Sequence, residues 1–141
     1  MICLSETWLK DDEPKSELHI YGYIQHLNSY GGEGGKGLAV FYKPEKFRAS
    51  GDVKQRDLQI TRLSSIDVDM ILVYRNASCK NTFQYIYQMI VHGKTTTICG
   101  DFTVCFFKKK SNTLIQSLLK LGFEQRVTEA THFQEGLIDH T

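Results

Sequence analysis

Three carboxylates stand where an apolar run gives way to polar residues: Glu6 after MICLS, Asp101 after TTICG and Asp139 after GLI. A further apolar run, IDVDMILVY, closes on Tyr74-Arg75. Acids that emerge from the core at strand ends converge on one edge of a sheet, where ligands of α/β folds bind. Hard, oxygen-only ligands of this kind suit Mg²⁺ or Mn²⁺, which bind through one or two carboxylates, several waters and a phosphate. A phenol and a guanidinium beside such a site can contact a phosphate or a leaving group. The plain alternative for any one acid is a polar strand-end residue facing solvent, and for Tyr74 an amphipathic ring at the rim of the core. Three acids in one setting weigh against it.

The elements that must position these residues follow from hydrophobic period. Met1–Leu4 is expected to be a buried strand. Asp11–Glu17 is charged, contains Pro14 and reads as loop or a single helical turn. Tyr21–Leu27 is weakly strand-like. SYGGEGGKG, residues 29–37, carries five glycines but no Walker pattern, and the strand LAVFYK rather than a helix follows it. A loop between two strands is expected there, with no dinucleotide cofactor. Leu58–Leu63 alternates as a half-exposed strand does. Ile66–Tyr74 begins by alternating and becomes continuously apolar, which fits an antiparallel neighbour joined through Ser64-Ser65.

Asn81–Val91 changes period: Phe83, Ile86, Tyr87 and Ile90 lie at helical spacing, with Gly93 as a stop. Thr95–Cys99 is a strand. Ser111 or Asn112 can cap a helix carrying Leu114, Ile115, Leu118, Leu119 and Leu121, ended by Gly122. Phe123–Val127 and Ala130–Phe133 are short extended pieces, and LIDHT stops as if in mid-strand. The order is α/β, with about seven or eight strands and two helices.

Length and composition set bounds. The chain has 141 residues, enough for one domain, with 17 Lys plus Arg against 16 Asp plus Glu. Global charge therefore selects neither a nucleic acid nor a membrane; Lys108-Lys109-Lys110 is a local exception that reads first as a solvated loop. Cysteines 3, 79, 99 and 105 show no paired spacing, so reduced thiols in an intracellular setting are expected and zinc is not. No run approaches a membrane span, and MICLSETWLK does not read as a secretion signal.

Five segments in one order carry a resemblance: LSETWL (4–9), GGKGLAVFYK (34–43), LVYR (72–75), ICGDFT (98–103) and the pair ATHF…LIDH (130–140). The chain resembles the endonuclease/exonuclease/phosphatase superfamily. It is most similar to the endonuclease domains of non-LTR retrotransposons and some Helitron-type elements, in which E-T-W, VYR, GDFN and TH…IDH recur. The resemblance implies a DNase-like fold, a two-sheet α/β sandwich with helices outside. It implies metal-dependent phosphodiester hydrolysis with Mg²⁺ or Mn²⁺, DNA as partner, and a nuclear location if the chain is retroelement-like. Glu6 matches the metal-binding glutamate. Tyr74 matches the tyrosine that lies against the scissile phosphate, and Arg75, beside it, is a substrate-binding candidate. Asp101 matches the aspartate that handles the attacking water, and Thr131 a threonine near the DNA backbone. Asp139 matches the aspartate that orients a catalytic histidine; His132 and His140 neighbour these motifs without matching it.

Three departures shape the expectation. Thr103 stands where the family carries asparagine, so a two-ended amide is replaced by a shorter, single hydroxyl. Losing one transition-state donor lowers a rate by roughly 10²–10³-fold. The family also begins with a strand before LSETW and continues beyond IDH, so residues 1–141 are expected to be a single domain incomplete at both ends, with unpaired edges. Two other functions fit the same residues: an inactive remnant or nucleic-acid-binding module, and a phosphatase acting on a small or lipid phosphate.

Overall fold

The computed structural model describes residues 1–7, 19–30, 37–104 and 112–128, and the backbone of 139–140. Residues 31–36 of the expected 29–37 glycine loop, the expected loop or turn at 11–17, the lysine run at 108–110 and the piece at 130–133 lie outside the described residues. Eight strands and two helices are described, in the order β1 (Ile2–Ser5), β2 (Ile24–Ser29), β3 (Gly37–Tyr42), β4 (Arg48–Gln55), β5 (Leu58–Ser64), β6 (Val68–Arg75), α1 (Thr82–Met89), β7 (Thr95–Asp101), α2 (Thr113–Lys120) and β8 (Asp139–His140). They build a mixed α/β fold with two sheets. The smaller is antiparallel in the order β1-β3-β2; the larger runs β4-β5-β6-β7-β8. Within the larger sheet only β6 and β7 are parallel, and α1 makes the crossover between them.

Alternation along β6 explains the layers. Leu72 and Tyr74 face the smaller sheet and join Leu38, Val40, Tyr42 and Leu63 in one core. Ile71 and Val73 face the other way and join Ile86 of α1, Ile98 of β7, and Leu114 and Ile115 of α2 in a second. Both helices thus cover the outer face of the large sheet. Asn112 caps α2, its side chain accepting from the N–H groups of Leu114 and Ile115, as a residue of that type does at a helix start. Asn28, 3% exposed, ties the sheets at one margin by donating to Ile60 O, Val53 O and Thr61 Oγ1. Beside it His26 Nε2 lies 2.9 Å from Asp52 Oδ2.

Three elements depart from the expectation. β1 is a strand but not a buried one: it forms an edge, and Ile2 and Leu4 are 42% and 47% exposed while Cys3 packs inward. β5 is buried on both faces rather than half-exposed, because it lies between β4 and β6, with the smaller sheet on one side and α1 on the other. β4 escaped notice because RASGDVKQ is polar; it is the other margin of the large sheet and presents alternate residues to solvent. Residues 123–128 form no strand. Cys3, Cys79 and Cys99 are free thiols, and burial pushes Cys3 up to about 11 and Cys99 to about 12. No helix among the described residues is long and apolar enough to cross a membrane.

Candidate active site

Pairing across the large sheet aligns one residue from every strand. Lys54 of β4 opposes Gln59 of β5, Gln59 opposes Tyr74 of β6, Tyr74 pairs with Asp101 of β7, and Asp101 opposes Asp139 of β8. Opposed residues share a face and strands lie about 4.8 Å apart. The next row, Val53, Ile60, Val73 and Gly100, belongs to the helix-facing side. Hence one transverse row of polar residues crosses the C-terminal ends of β6 and β7, on the face turned toward the smaller sheet.

The smaller sheet brings Glu6 to this row. β1 runs antiparallel to β3, Ser5 pairs with Leu38, and the Thr7 N–H donates to Gly37 O. Gly37 permits that approach, since a Cβ there would lie 3.1 Å from both Thr7 Oγ1 and Ser29 Cβ. Glu6 itself has φ of 53°, the left-handed region that non-glycine residues seldom occupy. Its Oε1 accepts a hydrogen bond of 3.2 Å from the Tyr74 hydroxyl. Tyr74 is only 5% exposed. Burial, then the neighbouring Glu6 carboxylate, then Asp101 and Asp57 push its phenol up to about 12. At neutral pH Tyr74 is therefore an uncharged donor and cannot serve as a base.

Asp101 is held from behind. β6 and β7 approach so closely at Val73 and Gly100 that a Cβ on Gly100 would lie 1.9 Å from Val73 O, and φ there is 137°. Only glycine fits. This is why the apolar strand closes on a glycine before its carboxylate. Asp101 Oδ1 then accepts from the Thr103 N–H at 2.9 Å, and Thr103 takes φ of 48°. The Thr103 hydroxyl has two acceptors within reach, Arg75 O at 2.5 Å and Asp101 Oδ1 at 3.4 Å, and through the nearer one it clips the loop after β7 to the end of β6.

Two non-glycine residues in the left-handed region, Glu6 and Thr103, thus flank the row. Strained backbone of this kind costs of order 1–3 kcal/mol per residue and clusters at functional sites.

Arg75, the substrate-binding candidate beside Tyr74, makes several hydrogen bonds within the protein. Its Nε donates to Thr82 Oγ1 (3.0 Å), Nη1 to Phe102 O (2.9 Å) and Nη2 to Cys79 O (2.7 Å). The guanidinium binds the loop after β6, the start of α1 and the loop after β7 into one unit, and burial holds it below the usual arginine range. Asp139 enters the row by its backbone position opposite Asp101; its side chain, Thr131 and His132 lie outside the described residues. His140 opposes Gly100.

No known family model matches this chain, and no curated protein is significantly similar to it.

The donor set is a test of the metal expectation. Among the described residues no three His, Cys, Asp or Glu side chains gather at one point. Glu6 and Asp101 offer oxygen only, which fits a hard divalent cation completed by substrate oxygens and water rather than a closed protein cage. A cavity of about 630 Å³ lies elsewhere, on the helix side of β7, lined by Ile98, Phe102, Leu114, Ile115 and Leu118, and neither Glu6 nor Asp101 lines it. Sequence reasoning missed Gln59 and Lys54. Gln59 is fully buried, its Nε2 donating to Gln55 O and its Oε1 without a partner among the described residues. The one available signal was period: Gln59 and Thr61 are polar at alternate positions of an otherwise apolar strand.

Proposed function

We propose that the chain is a metal-dependent phosphodiesterase of the DNase-like type that nicks DNA, as the order of its motifs, similar to that of retroelement endonucleases, suggests. The observation that carries this reading is the meeting of Glu6, Tyr74 and Asp101, from three separate strands, at one rim of two facing sheets. Glu6 is the residue that would hold Mg²⁺ or Mn²⁺. The chemistry such an ion supplies is charge neutralisation on a non-bridging phosphate oxygen and on the leaving alkoxide. Tyr74, neutral at working pH, would turn its one O–H from Glu6 to a phosphate oxygen as negative charge grows there. Asp101 orients the attacking water and accepts its proton. Thr103 and Arg75 are positioning residues: one fixes the Asp101 carboxylate, the other the loops on either side of it. Phosphorus gains the water oxygen, the bond to the leaving oxygen breaks, and that oxygen ends protonated.

Supercoiled plasmid incubated with the purified chain and Mg²⁺ tests the reading. Open-circular product above a buffer control is expected, and Asp101→Ala should abolish it. Equal nicking by the variant, no nicking by the parent, or hydrolysis of an inositol phosphate with duplex DNA left intact would each overturn it.

A further inference from the structure

We infer that the tip of the β4–β5 hairpin, through Arg56, and the loop after β6, through Lys80, form a backbone-gripping rim for duplex DNA beside the Glu6–Tyr74–Asp101 row. The inference rests on the nuclease reading of that row. Gln55 opposes Leu58, so the hairpin turns on two residues, Arg56 and Asp57. The tip is braced at three points. The Asn76 N–H donates to Asp57 O at 2.9 Å, Gln55 Nε2 donates to Tyr85 Oη of α1 at 2.6 Å, and Gln59 Nε2 donates to Gln55 O. The first of these joins the tip to the residue directly after Tyr74-Arg75. Lys80 follows four residues later, in the loop that the Arg75 guanidinium holds through Ala77 O and Cys79 O.

Both cations are exposed, and among the described residues neither has a hydrogen-bond or ion-pair partner. Contrast the cations that serve the fold. Arg75 is spent on the backbone and on Thr82, and Arg62 and Lys94 on Asp69. Two unspent cations on rigid supports, at the end of the sheet where the acids converge, offset the negative charge of that row for a polyanion approaching it. Arg56, at the tip that joins β4 to β5, stands one to two strands from Tyr74, about 5–10 Å at strand spacing. That reach corresponds to about two to three phosphates at roughly 3.4 Å of axial rise each. A substrate extending several phosphates to either side of the reacting one, and not an isolated phosphate ester, is what such a rim would hold.

The experiment is a salt series of anisotropy titrations with a labelled 20-base-pair duplex and the full chain. Each phosphate contact contributes about 0.9 to the slope of log K against log salt. The double variant Arg56→Gln with Lys80→Gln should therefore flatten the slope by about 1.8. Lys46→Gln, in the turn at the opposite end of β3, should leave it unchanged. An unaltered slope in the double variant, an equal loss in the Lys46 variant, or no duplex binding by the parent overturns the inference. Plasmid nicking separates it from the reading beneath it. A flattened slope without any nicking leaves the rim standing and removes the nuclease; nicking with an unaltered slope does the reverse.

Discussion

The two ends of β6 treat a carboxylate in opposite ways. At the start of the strand Asp69 is fully buried. It accepts from Ser64 Oγ at 2.6 Å and from Arg62 Nη2 at 2.7 Å, with Lys94 Nζ 3.5 Å away. At the far end, about 17 Å on at strand rise, Glu6 meets a neutral phenol and Asp101 meets a backbone N–H. The guanidinium closest in sequence to Tyr74 turns to carbonyls instead. Backbone geometry divides the same way, since among the described residues the left-handed non-glycine ones, Glu6 and Thr103, both stand at the second end. A charge surrounded by matched donors is there for the fold. At the far end the donors to Glu6 and Asp101 include neutral ones, a phenol and a backbone N–H, beside two residues in the left-handed region.

Removing one carboxylate at each end tests that division most severely. Asp69→Ala leaves Arg62 without its buried partner beside a void, while Lys94 keeps its bond to Ser65 O, and breaking a buried pair in this way costs about 3–5 kcal/mol. Asp101→Ala gives up hydrogen bonds to neutral groups, the Thr103 N–H at 2.9 Å and the Thr103 hydroxyl at 3.4 Å among them, about 1–2 kcal/mol. Urea unfolding should show the first as a large drop and the second as a small one; equal costs would erase the distinction. The acid limb supplies a second readout. Burial pushes Asp69 up, but Ser64, Arg62 and Lys94 more than offset this and hold it below 3.8. A folded-state value lowered in this way contributes stability that is present above the unfolded value and lost as pH falls below it. The variant should therefore lose less stability than the parent as pH drops below about 4.

How much of this was legible beforehand differs between backbone and face. The helices were readable because Phe83, Ile86 and Ile90, and Leu114, Ile115 and Leu118, repeat at a period no strand shares. β5 and β6 were readable as a pair through Ser64-Ser65. The depth of β5 was not, because burial on its second face depends on which elements land there. Polar β4 gave no apolar signal at all. In the site, Glu6, Tyr74 and Asp101 announced themselves by following apolar runs, and the sheet brings them together. Arg75 shared that signal and took a structural task, because nearby carbonyls at Cys79 and Phe102 become its acceptors only once the two loops meet. Gln59 and Lys54 join the row only through strand register, which a single strand's sequence does not contain.

Tyr74→Phe sharpens the contrast at the second end with a smaller structural change. The ring stays buried and one donor disappears, so nicking should fall by roughly 10²–10³-fold while stability at neutral pH changes little. Alkaline unfolding gives an independent check. The phenol rises from 10.0 to about 12 in the folded chain, first through burial and then through Glu6. Stability carried by the protonated hydroxyl is complete below the unfolded value and is lost as pH climbs from about 10 through 12. Cys3 and Cys99, raised to about 11 and about 12, add to the same fall from about 9 upward. Phenylalanine should remove only the tyrosine share, giving a shallower decline of the urea midpoint above pH 10. An unchanged slope there would detach Tyr74 from the acids that are supposed to surround it.

The smallest effect on stability belongs to Thr103→Asn, and its sign can be argued from opposing parts. A β-branched residue at φ of 48° is strained, whereas asparagine visits the left-handed region readily. Relief of that strain is worth about 1 kcal/mol. Against it stands the loss of the hydroxyl bond to Arg75 O, a net contribution of about 0.5–1.5 kcal/mol. The two nearly cancel, so the urea midpoint should move little. Activity should not stay put. The threonine hydroxyl has one proton, with Arg75 O and Asp101 Oδ1 both within its reach, and an asparagine amide would bring two N–H donors to the same position beside Asp101. Restoring one transition-state donor should raise nicking by at least tenfold. Faster cleavage at unchanged stability would assign the kink after β7 to chemistry; a stability gain with no change in rate would assign it to the loop alone.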